Sequence, residues 1–265
     1  MTSHDTLAPL RSRRALRTLQ RTAVSLGRLV SDSLFPRKCL TCEVFLPDRP
    51  NTYLCSACAG QVVRYDGPLC DTCGQPFWTF GESFMAEGAL CGLCRTHPPP
   101  FLAARAVGLY RGHLKNLVLQ MKYRSNAQAA FALASLLAEA YPSLFGEFVP
   151  DAVVPIPLHT ERFLERELDQ AVLMAREVAR KAGWPLRLWL RRIRPTPPQS
   201  RLSRAGRRAN VRNAFGLAPW VRPEGRTVLL IDDVLTTGAT AREAARVLTR
   251  AGASAVYVYT AARAE

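Results

Sequence analysis

Eight cysteines, all in C-x-x-C pairs, constrain what this chain can fold into more than any other feature of its sequence. The two-residue gap lets both thiolates of one tight turn face the same metal ion, and two such turns complete a tetrahedral four-sulfur site. Consecutive pairs are separated by 12, 11 and 17 residues, a spacing typical of two zinc ribbons in series. The predicted metal ligands are Cys39, Cys42, Cys55, Cys58, Cys70, Cys73, Cys91 and Cys94.

The sequence does not fix how the four pairs combine into two sites. Sequential grouping closes the shortest loops and is favoured for that reason, while interleaved and nested groupings stay open. Disulfides are disfavoured because we expect no export signal, and a redox C-x-x-C would not need four copies. A closed four-sulfur site has no free coordination position, so we predict two Zn²⁺ ions that stabilise the fold and do not catalyse.

The distribution of charge predicts a polyanionic ligand. The chain carries 36 Lys and Arg against 21 Asp and Glu, for a net charge of +15, and residues 191–212 hold eight arginines and no acid. Arginine binds phosphate oxygens through paired hydrogen bonds, so this segment favours phosphate or nucleic acid; an ordinary solvated surface is the alternative. The nucleic-acid candidates are Arg201, Arg204, Arg207, Arg208 and Arg212.

The chain divides into three parts by composition. Residues 1–38 predict a basic amphipathic segment that packs on the rest of the protein or contacts a membrane or DNA. Residues 39–95 hold the cysteines. Residues 101–265 alternate strand and helix patterns, which predicts an α/β domain with a mainly parallel sheet and flanking helices, and with a ligand site outside the carboxyl ends of the strands. The apolar runs are too short to cross a bilayer, and we expect a cytoplasmic protein.

The local patterns in the third part predict its individual elements. The predicted strands are 103–110, 151–158, 226–234 and 255–260. The predicted helices are 114–123, 127–141, 170–183 and 239–253, the third of them ending at a glycine.

The stretch VLLIDDVLTTGAT, residues 228–240, predicts the ligand site. A buried strand leads into two aspartates, then into hydroxyl residues and a glycine before a helix. The free amides and dipole of a helix start favour a phosphate, and Gly238 lets the backbone approach it closely. Asp232 and Asp233 repel an anion, so they favour sugar hydroxyls or Mg²⁺ beside the phosphate. A ribose 5-phosphate group presents both features.

These thirteen residues resemble the signature that binds 5-phosphoribosyl pyrophosphate (PRPP) in type I phosphoribosyltransferases. The four C-x-x-C pairs, MKY, VVPIPL, an R-x-x-x-Q element and TPPQSRLSRAGRRANVRNAF follow in the order found in the ComF family, which the chain resembles from about residue 35 onward. The resemblance implies a double zinc ribbon followed by a phosphoribosyltransferase-type domain that binds PRPP and Mg²⁺. It also implies a role in natural transformation, handling incoming single-stranded DNA among other competence proteins.

The resemblance assigns roles residue by residue. Asp232 and Asp233 would hold the ribose hydroxyls, directly or through Mg²⁺, and with Lys122 they are the catalytic candidates. The PRPP-binding candidates are Asp232, Asp233, Thr236, Thr237, Gly238, Ala239, Thr240, Pro157 and Leu158. The candidates for a mobile loop or for pyrophosphate contact are Arg166, Gln170, Gln199, Arg207 and Asn210.

One segment departs from the family pattern. The family's R-G-F-N-Q is RELDQ at residues 166–170. The missing glycine and two added carboxylates oppose the close approach of pyrophosphate, which argues against transferase turnover more than against ribose-phosphate binding. If the segment only starts a helix, it never touches the ligand. The two hypotheses for function are an Mg²⁺-dependent phosphoribosyltransferase and an inactive scaffold that binds single-stranded DNA or competence proteins.

Overall fold

The structure, a computed structural model, describes residues 37–46, 53–78, 88–123, 126–157, 169–194 and 204–264. Residues 1–36 of the predicted basic amphipathic segment lie outside these ranges, and so do Leu158, Arg166, Gln199 and Arg201. The helices are α1 (Ser56–Gly60), α2 (Gly92–Thr96), α3 (Gly112–Tyr123), α4 (Ala127–Phe145), α5 (Gln170–Ala182), α6 (Arg204–Val211) and α7 (Ala239–Arg250). The strands are β1 (Ala103–Leu109), β2 (Ala152–Pro155), β3 (Leu190–Arg192), β4 (Phe215–Leu217), β5 (Thr227–Leu235) and β6 (Ala255–Arg263). Within the described ranges, no helix is both long and apolar enough to span a bilayer.

The fold is built on a four-stranded sheet in the order β1-β6-β5-β2. Each neighbouring pair of strands runs parallel. The four residues Val228–Ile231 of β5 have no exposed surface, because a parallel sheet is covered by helices on both faces. The predicted α/β fold class, with a mainly parallel sheet and flanking helices, is confirmed.

Alternate residues of β5 enter two different cores. Leu229 and Ile231 pack with α3, α4 and α5, whereas Val228 and Leu230 pack with α7. This division follows from the two-residue period of a strand, which sends successive side chains to opposite faces. The loop at the end of β5 is therefore held between two packed layers of helices.

Several elements differ from the sequence-based expectation. β2 ends at Pro155, short of the predicted residue 158, and α4 continues to Phe145, past the predicted residue 141. β5 and β6 extend to Leu235 and Arg263, beyond the predicted ends at residues 234 and 260, because they continue to pair with each other after β2 has ended. A second sheet joins β3 and β4 in antiparallel orientation, and α6 lies in the arginine-rich segment for which no regular structure is predicted. Strands of three residues are too short to show a period.

The cysteine-rich region packs directly on the edge strand β1. The Ala104 amide donates to the Thr72 carbonyl at 2.7 Å, and the Leu109 amide donates to the Val63 carbonyl at 2.8 Å. These bonds cover an edge that would otherwise be open to strands of other chains. The segment just before β1 takes part in this packing, because Phe101 is buried in the same cluster as Cys70, Cys73 and Cys94.

Candidate functional site

Asp232 and Asp233 lie just past the end of β2. The register between β2 and β5 ends at the pair Pro155 and Ile231, so the next residues of β5 extend beyond the neighbouring strand. β5 itself continues, with Asp232 opposite Thr260 of β6, and the strand therefore carries both aspartates, which are half-buried. Open α/β sheets bind their ligands at this position, outside the carboxyl ends of the strands.

The two carboxylates are oriented by the backbone and by one lysine. Asp232 Oδ1 accepts a hydrogen bond from the Asp233 amide at 2.9 Å, and Asp233 Oδ1 accepts one from the Val234 amide at 2.6 Å. The other carboxylate oxygen of Asp233, Oδ2, lies 2.7 Å from Nζ of Lys122, in the last turn of α3. The structure thus brings together the three residues predicted as catalytic candidates.

Burial and charge set the protonation of this group. Burial, reinforced by the charge of Asp233, raises the pKa of Asp232 to about 7. Burial alone would lower the pKa of Lys122, but the charge and hydrogen bond of Asp233 outweigh it, and the pKa of Lys122 is raised. At neutral pH the site therefore holds a lysine cation beside an Asp232 carboxyl that is only partly ionised.

The segment from Thr236 to Thr240 leads from β5 into α7. Gly238 precedes the helix with a φ of 72°, a left-handed conformation that favours glycine. The Thr237 hydroxyl accepts a hydrogen bond from the Ala239 amide at 3.4 Å. Amides at the start of a helix lack partners within the helix and favour an anion. The predicted phosphate loop therefore adjoins the aspartate pair at one end of the sheet.

Pro157 follows β2, at the same edge of the sheet as the aspartates. It follows Ile156, whose amide donates to the Ile231 carbonyl at 3.0 Å, so the segment after β2 begins beside the aspartates. Pro157 is half-buried. Its position is compatible with the predicted contact to PRPP, which stays a prediction.

Gln170 is buried and connects α5 to α3. Its side-chain amide donates to the Met121 carbonyl at 2.8 Å, next to Lys122 in the chain. Asp169 caps α5 and accepts hydrogen bonds of 3.1 and 3.2 Å from amides of the first helical turn. The last two residues of RELDQ therefore start a helix, the second of the two interpretations of this segment, and Gln170 supports the helix end that carries Lys122.

The helix α6 places the arginine-rich segment against α7. The carbonyls of Asn210 and Arg212 both accept hydrogen bonds of 2.8 Å from the Arg194 side chain, and the backbone of Arg204, Arg207 and Arg208 is helical. An open cleft of about 410 Å³ lies between the two helices. It is lined by Pro100, Ala209, Val211, Arg212, Ala239, Arg242, Glu243 and Arg246.

The sequence patterns place neither Tyr110 nor Arg192 at this site, although both interact electrostatically with it. Tyr110 directly follows β1, where burial raises its pKa while the nearby Lys122 lowers it and Asp233 raises it further. Arg192, at the end of β3, opposes the rise in the pKa of Asp232. The position of Tyr110 after a strand is a usable signal, because the carboxyl ends of parallel strands meet at one edge. Arg192 lies in a strand too short to recognise.

The cysteines form two separate four-sulfur groups. The first group is Cys39, Cys42, Cys55 and Cys58, and the second group is Cys70, Cys73, Cys91 and Cys94. Within each group all sulfur atoms lie within 4.8 Å of one another, so the pairs combine sequentially, as the shortest loops favour. Gly74 directly follows Cys73 and has a φ of 64°. A Cβ at this position would lie 2.6 Å from the Ala104 carbonyl oxygen, so this turn requires glycine.

One thiol of each group is readily ionised to the thiolate form that binds metal. The Cys70 sulfur accepts a hydrogen bond from the Cys91 amide at 3.3 Å, and the Cys39 sulfur accepts one from the Cys55 amide at 3.4 Å. The hydrogen bond from Cys73 lowers the pKa of Cys70 to about 4. Burial opposes ionisation of Cys39, but hydrogen bonds from backbone amides outweigh it and lower its pKa to about 6. Burial raises the pKa of Cys58 and of Cys94, and the hydrogen bond with Cys70 raises the pKa of Cys73. The fit of each group to a closed tetrahedral zinc site therefore rests on its four-sulfur geometry.

The fold and its sites define a class of protein in which a double zinc ribbon is joined to a parallel α/β sheet. Residues 30–95 match the double zinc ribbon domain family. The chain is 35% identical over 212 residues to the DNA utilization protein YhgH of Salmonella typhimurium, across 78% of this chain and 88% of that protein. It is 30% identical over 242 residues to Competence protein F of Haemophilus influenzae, across 88% and 99%, and 30% identical over 233 residues to Competence protein ComFC of Bacillus subtilis, across 86% and 90%. The chain belongs to this ComF family of competence proteins and their YhgH relatives.

Solved structures of phosphoribosyltransferases align with part of the chain. The glutamine PRPP amidotransferase of B. subtilis complexed with ADP and GMP covers 54% of this chain and 30% of its own, at 23% identity and a TM-score of 0.37. Adenine phosphoribosyltransferase from Leishmania tarentolae covers 55% of this chain and 75% of its own, at 15% identity and a TM-score of 0.35. Both likenesses are too distant to extend beyond the fold.

Proposed function

We propose that the aspartate pair and the loop after β5 bind a 5-phosphoribosyl ligand of the PRPP class together with Mg²⁺. One observation carries the proposal: Asp232, Asp233 and Lys122 meet directly beside the loop 236–240. A hydroxyl-binding group and an anion-binding group therefore adjoin, and a 5-phosphoribosyl ligand presents hydroxyls and a phosphate on one ribose. Membership of the ComF family supports a role for this site in DNA uptake during competence.

Each part of the site would contact a different part of the ligand. The first amides of α7 and the hydroxyls of Thr236, Thr237 and Thr240 donate to the 5-phosphate, and Gly238 allows their close approach. The carboxylates accept hydrogen bonds from the ribose hydroxyls or hold Mg²⁺, since this cation prefers carboxylate oxygens. The metal ion supplies positive charge against the pyrophosphate. Lys122 offsets the negative charge of the pair, which otherwise repels the phosphates of the ligand.

Phosphoribosyl transfer is the reaction that this arrangement supports. The bond between C1 of the ribose and the pyrophosphate oxygen breaks, C1 bonds to a nucleophilic acceptor that loses its proton, and pyrophosphate leaves with the electron pair. Arg207 and Asn210 lie at the positions of the family's loop that would cover the pyrophosphate and exclude water. The capping role of Asp169 directs one of the two added carboxylates of RELDQ toward α5, which removes part of the objection to turnover.

Calorimetric titration tests the binding proposal. PRPP is added with Mg²⁺ to the zinc-loaded protein, to Asp232→Ala and Asp233→Ala, and to Asp151→Ala as a matched control. Asp151 precedes β2 at the opposite end of the sheet, where it pairs with Arg226 at 3.6 Å. We expect binding in the native protein and the control, and a loss of about tenfold or more in each site variant. A native protein that does not bind PRPP contradicts the proposal.

Turnover is tested separately once binding is established. Pyrophosphate release is measured with a panel of nucleobases and amines as acceptors, in the native protein and in Asp233→Ala. Faster release in the native protein with any acceptor supports transfer. Equal release across the panel shows that the site binds its ligand without transferring it.

A second candidate function is the binding of single-stranded DNA. The cleft between α6 and α7 favours it, because Arg212, Arg242 and Arg246 line the cleft with one acid, Glu243. Arg246 is paired with Glu243, so Arg212 and Arg242 carry the excess positive charge. Such a cluster neutralises phosphates, so the affinity must fall steeply as salt rises. Fluorescence anisotropy with a labelled oligothymidylate measures this dependence.

The DNA hypothesis has its own matched pair of variants. Arg212→Ala is expected to weaken binding and to reduce the slope of log affinity against log salt by about one. The control is Arg187→Ala, an exposed arginine next to β3, which should leave the slope unchanged. Binding that does not respond to salt, or that both variants weaken equally, argues against DNA in this cleft.

A further inference from the structure

Arg263, the last residue of β6, reaches into the second cysteine group. Its side chain is 7% exposed, and its two terminal nitrogens donate to the Cys73 carbonyl at 2.9 Å and to Oε1 of Gln75 at 2.6 Å. Its Nε has no hydrogen-bond partner among the described residues. A buried guanidinium is costly unless a negative group compensates it. The thiolates of the second group, when it holds a metal ion, would supply that negative charge.

Arg242 approaches the same group from α7. One terminal nitrogen donates to the His97 carbonyl at 2.8 Å, and the other lies 3.9 Å from the Cys94 sulfur. A Zn²⁺ ion with four thiolates has a net charge of about −2. Cationic donors around such a site stabilise the thiolates and fix the orientation of the ligands. The sheet domain thus contributes two outer partners to the second metal site.

The two arginines stand at the two ends of the phosphate loop. Arg263 is paired with Leu235, the residue before the loop, in the register of β5 and β6. The Arg242 amide donates to the Gly238 carbonyl at 2.8 Å, which closes the first turn of α7. The loop therefore lies between two anchor points, and the arginine side chain at each of them bonds to the region of the second cysteine group.

The first cysteine group is attached elsewhere, through neutral groups. The side-chain amide of Gln120 in α3 donates to the Leu40 carbonyl at 3.1 Å, and Val63 bonds to the end of β1. Cys42 of this group is exposed, whereas the four cysteines of the second group are buried or half-buried. These two contacts lie on α3 and at the end of β1, whereas the contacts of the second group to Arg242 and Arg263 lie on α7 and β6, the elements that flank the phosphate loop.

We propose that Zn²⁺ in the second group, acting through Arg242 and Arg263, holds the phosphate loop in its ligand-binding conformation, and that Zn²⁺ in the first group does not. The part concerning ligand affinity rests on the proposed function, and the part concerning loop order does not. Arg242 is a positioning residue here, because it contacts the ribbon and acts on the ligand only through α7.

Matched cysteine variants separate the two metals. Cys94→Ser removes a buried ligand of the second group, and Cys58→Ser removes a buried ligand of the first; metal analysis confirms which ion is lost. Hydrogen exchange of residues 235–242 is then measured by mass spectrometry. We expect faster exchange of this segment in Cys94→Ser and native exchange in Cys58→Ser. Equal exchange in the two variants, changed or unchanged, overturns the proposal.

Arginine variants test the link without removing a metal ligand. Zinc release to a chromogenic chelator is followed in Arg242→Gln and in Arg250→Gln, an exposed arginine at the far end of the same helix. We expect one of the two ions to leave Arg242→Gln about tenfold faster and Arg250→Gln to match the native protein. Arg263→Lys, which keeps the charge but loses the paired hydrogen bonds, is expected to release the same ion faster, and it replaces Cys94→Ser if that variant does not fold. Native release from both Arg242→Gln and Arg263→Lys overturns the proposal.

Titration with PRPP distinguishes this inference from the proposed function. If the native protein does not bind PRPP, the proposed function fails, and hydrogen exchange and zinc release still decide whether the second metal orders the loop. If the native protein binds PRPP, we expect Arg242→Gln to lose about tenfold in affinity and Arg250→Gln to keep it. Unchanged affinity in Arg242→Gln contradicts the part that concerns the ligand.

Discussion

The ammonium of Lys122 lies 2.7 Å from the carboxylate of Asp233, and this pair joins α3 to β5 at the carboxyl edge of the sheet. Both side chains are mostly shielded, with 26% and 18% of their surface exposed. Because Asp232 is the adjacent residue, the lysine also offsets the repulsion between two neighbouring carboxylates. The pair therefore keeps an acidic site intact at the sheet edge before any ligand arrives.

Replacing the lysine should expose that repulsion. We expect Lys122→Met to lower the free energy of unfolding by about 1 to 3 kcal/mol, because removing one partner leaves the other charge unpaired. The same substitution should lower it much less in an Asp233→Asn background, where that charge is absent. Urea unfolding of the four proteins of this cycle measures the coupling. Lys115→Met, at an exposed position of the same helix, is the control. Strictly additive effects of the two substitutions show that the ion pair contributes nothing.

The raised pKa of Asp232 predicts a pH dependence of stability. Folding raises this pKa from 3.8 to about 7, so the folded protein keeps a proton that the unfolded chain has already released at intermediate pH. The contribution of Asp232 to the free energy of unfolding is therefore full below the unfolded pKa and is lost as the pH rises through about 7. Asp232→Asn should remove this decline, which urea unfolding at several pH values detects.

The same titration predicts the pH dependence of ligand binding. The ionised form of Asp232 accepts hydrogen bonds from ribose hydroxyls or holds Mg²⁺, so PRPP affinity should rise as the pH increases from about 6 to about 8. In Asp232→Asn the residual affinity should be flat over this interval. Calorimetric titration at constant Mg²⁺ measures both proteins. A native affinity that is independent of pH contradicts the assignment of Asp232 to the ligand.

Asp169 offers a test of the segment that departs from the family pattern. Asp169→Ala should cost about 1 kcal/mol of stability, because the cap of α5 is lost. Asp169→Asn, which restores the family's residue, should keep both the cap and the stability, since Asn also caps helices well. Urea unfolding measures both variants. We expect unchanged PRPP affinity in Asp169→Asn, and a higher affinity would show instead that this carboxylate opposes the ligand.

Gly74 tests how closely the second zinc ribbon is fitted to the sheet. Gly74→Ala places a methyl group about 2.6 Å from the Ala104 carbonyl oxygen, on a residue with a φ of 64°. We expect it to destabilise the zinc-loaded protein by about 1 to 3 kcal/mol. Gly60→Ala is the control, because a Cβ there meets nothing within 4 Å. Thermal unfolding compares the two, and equal midpoints argue against close contact between ribbon and sheet.

Features encoded within short stretches can be predicted from this sequence. The strand at 228–231 is recognisable as an unbroken apolar run because both faces of a parallel sheet are buried. The cysteine groups are recognisable from their spacing. The end of α5 is recognisable from Gly183, which has a φ of 73°. The loop after β5 is recognisable because phosphate binding depends on backbone amides and a glycine that are consecutive in the chain.

Features that depend on distant residues can not be predicted in the same way. Nothing near Arg263 in the sequence indicates that its side chain bonds to Cys73, 190 residues earlier. The partner of Gln170 is equally unpredictable, because it is the backbone carbonyl of Met121. Every residue has such a carbonyl, so the sequence does not mark this one. Tertiary hydrogen bonds of this kind are set by the packing of whole elements, which short patterns do not encode.

β6 lies between β1 and β5 in the sheet, although it is the last of these strands in the sequence. Synthesis therefore delivers both cysteine groups and β1 well before the strand that joins them to β5 and β2. All eight metal ligands precede β1, so zinc binding can fold the ribbons while the sheet is still incomplete. Pairing between strands distant in sequence is slow. We expect the nascent chain to form its metal sites first, so that zinc supply during translation affects how much of the protein folds.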